Sequence, residues 1–335
     1  MRMHFQKGMM LVFILWVFFL LSLFGLYLAR GTRQRAIFIK RIGERSSLHF
    51  IGQASISYAI MAVLKDDSEG FDSFSDTWAS DEEEFKNIKV NLGEFNVFYN
   101  YYEDGKIERK YGVVDEARKI NINKANTKTI ERLFEAVFDM SKTEAKELSA
   151  AVIDFRDKDS YLLIPQGSAE DSYYRNLPEP YDCKDADYET VYELLLVKGI
   201  EKEMFLRLKD FVTIYGDKSV NINTAPREVL FAIGIERAII DKIISYRKGE
   251  DGEIGTEDDR VFTSVQSVLP VLSQNFPLSP SEVENLSNII AAGLIRVSSD
   301  YFRINSEARL SYSKAVGYIE CVINREGKIL FWRER

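Results

Sequence analysis

One stretch near the start limits what this chain can fold into: from Met9 to Ala29 no residue is charged. At about 1.5 Å of rise per residue, a helix of that length crosses a hydrocarbon core of roughly 30 Å. A cleavable secretory signal has a shorter apolar region, ~7–15 residues, followed by a small-residue cleavage site. Here the run ends in Ala29, Arg30 and Gly31, so the export-signal reading is weak and the segment reads as a span. Arg2 and Lys7 precede it, whereas Arg30, Arg33, Arg35, Lys40 and Arg41 follow it. By the positive-inside bias alone, that count leaves the body in the cytoplasm.

Past Arg35 apolar residues continue at helical spacing, at Ile39, Ile42, Phe50, Ala54, Tyr58, Met61 and Ala62. This predicts one long helix to about Leu64, amphipathic beyond the span and in need of a partner surface. Residues 65–87, KDDSEGFDSFSDTWASDEEEFKN, are acidic and serine-rich and read as a loop or linker. Aromatic and β-branched runs then flank Glu103, Asp104 and Gly105, a hairpin signal. Matching alternation returns in residues 293–335, with Glu326-Gly327 at a second turn. Between them, residues 119–292 read mostly as helices and loops. The economical architecture is α+β: a long N-terminal helix packed on a small antiparallel sheet, with a large mostly helical domain inserted in the sheet's connection.

The insertion holds an internal repeat. KININ-KANTKTIERLFEA, from Lys119, aligns with SVNIN-TAPREVLFAIGI, from Ser219, so that Asn121 falls on Asn221, Asn123 on Asn223 and Ala125 on Ala225. Each copy is an extended Asn-x-Asn segment followed by a helix, with Thr224 able to cap one helix start and Pro226 needing no donor there. A second helical stretch follows each, Lys142 to Phe155 and Glu236 to Arg247, giving helix-hairpin-helix-like (SAM-like) repeats near 119–155 and 219–247. Such units also grip nucleic-acid backbones, so a membrane-anchored DNA-binding protein of the uptake type is the rival function. In that use the hairpin carries glycines and basic residues that admit a phosphate. The first copy has no hairpin glycine, the second has Gly234 followed by Glu236, and the chain's formal net charge is −8 although its beginning is basic. No nucleic acid is expected as a partner.

Two acidic clusters carry the other chemical signal. The first contains Asp154, Asp157, Asp159, Glu170 and Asp171, and the second Glu250, Asp251, Glu253, Glu257, Asp258 and Asp259, with Gly249, Gly252 and Gly255 interleaved. Hard cations take six to eight oxygens, supplied by close-spaced acids and carbonyls of a glycine-bearing loop. Calcium is therefore expected, up to two ions, although the second loop does not match the EF-hand pattern. Solvated acidic turns are the plainer alternative for both. The histidines, His4 and His49, lie in the leader and the long helix, so no histidine-based catalytic or zinc site can be built in the body. Cys183 and Cys321 are far apart in sequence and are either a disulfide or two small buried apolar residues.

Lys7 and Gly8 directly before Met9 and the apolar run resemble a type IV pilin-like leader, cut after the glycine. Most of that superfamily has glutamate at the fifth mature position, where this chain has Phe13; the minor pseudopilin K family of type II secretion is similar to this chain in having an apolar residue there. GVVDEARKININ, VIDFRDKD, AEDSYYRNL, PYDCKDADYETVYELLLVKGI and VNINTAPREVL resemble that family's body in order and spacing. The resemblance implies a leader at 1–8, a span and stalk at 9–64, a pilin-like part at 65–118, the inserted helical domain at 119–292 and a second pilin-like part at 293–335. It also implies processing at Gly8 and Met9 by a prepilin peptidase, with methylation of Met9, and calcium in the periplasmic part. Residence in the inner membrane as a single-pass protein with a periplasmic body follows, as does assembly with minor pseudopilins I and J on a pseudopilus whose tip it caps. On that reading the chain is not an enzyme.

Overall fold

The computed structural model describes residues 4–66, 70–103, 106–165 and 167–335. No proline occurs before Pro165, and helix α1 (His4–Leu64) accordingly runs unbroken. From Gly8 to Gly43 its side chains are almost all exposed, and the body begins where α1 first buries a residue, at Leu48. The face that enters the core is Leu48, Ile51, Ile56, Ala59 and Val63, an i, i+3, i+8, i+11, i+15 stripe. The stripe expected from the sequence lies beside it: Ile39, Ile42, Phe50 and Met61 are exposed, and Tyr58 and Ala62 only flank the core. The helix is apolar on more than one face, and spacing alone does not say which face the sheet covers.

A short helix α2 (Glu82–Phe85) and strands β1 (Ile88–Val90), β2 (Gly93–Glu103), β3 (Lys106–Tyr111) and β4 (Val114–Asp115) follow. The turn between β2 and β3, where the sequence places Asp104 and Gly105, lies outside the described residues. The helical body then comprises β5 (Ile120–Asn121), α3 (Thr127–Phe138), α4 (Lys142–Asp154), α5 (Asp171–Tyr174), α6 (Lys202–Leu208), β6 (Val212–Thr213), β7 (Val220–Asn221), α7 (Arg227–Ala232), α8 (Arg237–Arg247), α9 (Val268–Asn275), α10 (Pro280–Ala291) and β8 (Ile295–Arg296). The chain returns to the sheet as β9 (Tyr301–Leu310), β10 (Val316–Asn324) and β11 (Ile329–Glu334).

The sheet order is β1-β2-β9-β10-β11, antiparallel throughout, with β3 pairing the far half of β2 and β4 pairing the start of β9. Gly327, at φ +79°, makes the turn into β11. On β9, Phe302, Ile304, Ser306, Ala308 and Leu310 alternate with Arg303 and Glu307, yet all are buried. Both faces are covered: the apolar side joins the α1 core, and Arg303 on the other side meets Glu116 at 2.7 Å. The acidic stretch 65–87 is more than a linker, because it inserts Trp78 and Phe85 into the α1–sheet core and buries Asp72 against Arg325. A second, larger apolar core lies within the helical body.

Both copies of the Asn-x-Asn repeat are built alike. Asn121 accepts from the Asn123 N–H at 2.9 Å, and Asn221 from the Asn223 N–H at 3.0 Å. Asn123 clamps the Tyr188 backbone through both its amide atoms, and Asn223 does the same to Phe262. A guanidinium behind each loop, Arg156 or Arg247, donates to the equivalent carbonyls, Ile122 and Ala125 or Ile222 and Ala225. The segments are held in place by two-residue parallel pairs, β5 with β6 and β7 with β8. Thr224 does not cap a helix; its hydroxyl donates to Asp115 at 2.6 Å, a carboxylate that Asn221 also reaches at 2.8 Å.

Candidate functional site

Helix α4 starts in a capping box between Ser141 and Glu144 and ends at Asp154, where the chain turns into an acidic loop. Asp154 is fully buried and accepts from the Leu163 N–H, at 3.2 Å for its closer oxygen. Beyond it, one oxygen each of Asp157, Asp159 and Glu170 lie within 4.8 Å of one another, although Glu170 sits across the loop at the start of α5. Glu170 also gathers Cys183 and Asp185 within the same limit. Asp171 faces elsewhere: it accepts from the Cys183 N–H at 2.8 Å and pairs with Arg175 at 2.7 Å. The sequence reading thus placed Asp157, Asp159 and Glu170 in one cluster and missed Cys183 and Asp185. Asp185 stands in its own acidic stretch, DCKDAD, which was a usable signal.

Burial and mutual repulsion weigh on the carboxylates of the first cluster. Burial first, then the charges of Asp154, Asp157 and Asp185, push the Glu170 carboxyl up to about 7. Burial, then Asp159 and Asp154, push Asp157 up to about 6. The Glu170 Oε1 and Asp157 Oδ1 atoms are buried and, among the described residues, have no hydrogen-bond partner. Buried carboxylate oxygens without donors carry a large desolvation cost unless a cation or proton meets them. Three carboxylate oxygens are the hard donors that calcium takes, and Asp157, Asp159 and Glu170 are the residues that would hold it. Bound there, the ion would tie the end of α4 to the start of α5.

The second loop handles its charge differently. Gly249, Gly252 and Gly255 all have left-handed φ, and a Cβ on Gly249 would strike the Asp258 carboxylate. Asp258 accepts from the N–H groups of Glu250 and Asp251, at 2.5 and 3.1 Å, and from the Thr256 hydroxyl, which holds it down to about 2. Asp259 accepts from Gly255, Asp251 from Glu253, and Arg260 pairs with Glu250. Glu253 and Glu257 are exposed. Among the described residues, this loop does not bring three ligand atoms within 4.8 Å of one another. Its folded shape is set by backbone donors.

At the other end, Gly8 and Met9 lie on the exposed part of α1, at the start of its apolar run, and α1 is the one helix among the described residues that is long and apolar enough to cross a membrane. That helix fits a single-pass anchor. Cys183 and Cys321 are free thiols in different cores, the first in the helical body and the second in the sheet.

Comparison with known proteins places this architecture. A family model described as type II secretion system protein K, in its first domain, matches residues 95–217. Type II secretion system protein K of Aeromonas hydrophila is 35% identical over 103 residues, which are 29% of this chain and 31% of that protein. The protein of the same name from Pectobacterium carotovorum subsp. carotovorum is 35% identical over 82 residues, 24% of each chain. The matched stretches therefore span less than a third of those relatives' own length. A chain in the crystal structure of the GspK-GspI-GspJ complex of the enterotoxigenic Escherichia coli type II secretion system shares the fold, with TM-score 0.61 and 15% identity over 91% of this chain and 99% of that one. Residues 95–217 are thus similar to the first domain of type II secretion system protein K, and the whole chain shares the fold of a chain in the GspK-GspI-GspJ complex.

Proposed function

We propose that the chain is a minor pseudopilin that works by assembly and not by catalysis. It would be cut after Gly8 by a prepilin peptidase, methylated at Met9, and anchored in the inner membrane with its body in the periplasm. From there it would join minor pseudopilins I and J at the tip of the pseudopilus, capping it and so supporting export across the outer membrane. The observation that carries this reading is α1 itself. Its first part is apolar and exposed, its last part is packed into the body, and between them Ile39, Ile42 and Phe50 stay exposed on the stalk. An apolar rod leaving a membrane without a covering surface calls for neighbouring helices. In the E. coli complex a K subunit is joined with I and J subunits, which supports the choice of partners. Phe13, apolar where other subunits carry glutamate, suits a subunit with none above it. The helical body between β4 and β9 is bulky for the shaft of a filament and suits its tip.

Calcium is the proposed cofactor, held first by Asp157, Asp159 and Glu170. The loop with Asp251, Glu253, Glu257, Asp258 and Asp259 is the second candidate. Processing is tested by the mass of the chain recovered from cells that contain the peptidase. The account expects a mature N-terminus at Met9 with one added methyl group, and an intact Met1 overturns it.

A further inference from the structure

A cavity of about 300 Å³ opens where the sheet meets the helical body, between the far ends of β2, β9, β10 and β11 and the turn after β4. Its wall is cationic in an otherwise acidic protein: Arg118, Lys119, Lys209, Arg303, Arg333 and Arg335 line it, against the carboxylates Asp210 and Glu320. Glu116, buried beneath, adds a third carboxylate.

These carboxylates are already engaged. Glu116 is shared between Arg303 at 2.7 Å and Lys119 at 2.5 Å. Glu320 takes the remaining arm of Arg303 and the Tyr192 hydroxyl. Asp210 accepts from Tyr102 at 2.7 Å and lies 3.8 Å from Lys209. Three guanidiniums are left over. Arg333 and Arg335 lie over the Tyr192 ring at 4.0 and 6.0 Å. Arg118 is 5% exposed, rests among the rings of Phe74, Tyr99 and Tyr101, and its Nε has no hydrogen-bond partner among the described residues. Ring faces offset only part of what a guanidinium loses on leaving water. Crowding of like charge also shows on Lys119, which burial and then the Arg303 charge pull down to about 8.

We propose that this cavity binds a small oxyanion ligand, of the carboxylate or phosphate class, through Arg118 and Arg333. Guanidinium forks match the paired oxygens of either group, and a cavity lined by more cations than anions concentrates such ligands from solution. The cavity also touches the end of α6 and the edge strand β11, so a bound anion would fasten the helical body to the sheet.

The full-length chain in detergent micelles is titrated calorimetrically with sulfate, a tetrahedral stand-in for a phosphoryl group, and with succinate, a dicarboxylate. Neither is a strong calcium chelator, and sodium chloride at matched ionic strength is the control. The proposal expects saturable binding of one or both dianions that weakens steeply with added salt. Whichever binds more tightly identifies the class of group. Arg333→Gln, a half-buried rim change, should weaken binding on the order of tenfold, as expected for loss of one charge-assisted contact. Arg118→Gln, checked for an unchanged far-UV spectrum, should weaken it as much, and Asp157→Asn should leave it unchanged. Binding no stronger than chloride, or binding indifferent to Arg333→Gln, overturns the proposal.

Discussion

Asn221 concentrates the logic by which this sequence holds its shape. Fully buried, it accepts from Asn223 and donates to Asp115 and to the Asp72 carbonyl, so one amide joins the repeat, the end of β4 and the 65–87 stretch. Asn221→Ala would take one donor from a buried carboxylate, which keeps Thr224 and the Ala117 N–H, and leave two backbone groups without their partner, and should cost about 3 kcal/mol in denaturant unfolding. Asn121 serves the equivalent place but donates to the Tyr215 and Gly216 carbonyls, with no carboxylate in its care, so Asn121→Ala should cost less. In the acidic cluster the sign of the pH effect follows from raised carboxyls. Without calcium, the contribution of Glu170 and Asp157 to stability is full below about pH 4 and is lost as pH rises through about 6 to 7. Calcium must displace those protons. Calorimetry should therefore find calcium bound about tenfold or more tighter near pH 7.5 than near pH 5, and Glu170→Gln should remove most of that difference. The double change Asp258→Ala with Asp259→Ala reports separately on the second loop.

Helix α1 illustrates how one element serves two solvents. Ile56, 2% exposed against the sheet, and Phe24, 60% exposed on the span, belong to one uninterrupted helix. Ile56→Ala should destabilise the body by about 2–4 kcal/mol through lost burial and a cavity. Phe24→Ala should leave the body's melting unchanged, and equal effects from the two would contradict the division of labour. The long helix, the two groups of strands and the repeat were legible in the sequence because each is a local pattern: an uncharged run, alternation around a turn, a recurring Asn-x-Asn. The parallel pairs were not legible, since Ile120 meets Val212 and Val220 meets Ile295 across most of the helical body. The burial of Trp78 was hidden for a related reason: an acidic, serine-rich stretch looks solvated, and only the fold shows that its few aromatic residues turn inward. In the candidate metal centre, Asp157 and Asp159 announced themselves by spacing, whereas Cys183 and Asp185 arrive from beyond α5, and the acidic stretch that marks Asp185 does not say that it meets Glu170.

Among the described residues, the two larger apolar cores of the protein are joined by buried charge. Arg303 of β9 and Lys119 of the helical body share Glu116, whose second oxygen also accepts from Thr213 at the end of β6. Burial opposes the Glu116 charge, but the two cations beside it outweigh that and hold the carboxyl well below its usual range. Such a joint ties the body to one face of the sheet, while α1 packs on the other with its apolar N-terminal length exposed. The form suits a subunit fixed by its stalk among other stalks, presenting its helical body outward. The decisive measurement is native mass spectrometry of the full-length chain purified in detergent together with minor pseudopilins I and J from the same bacterium. The account predicts a complex containing one copy of each of the three, lost when Phe50 and Met61 on the exposed stalk face are both changed to aspartate. Recovery of this chain alone, beside an I–J pair that forms without it, would contradict the account.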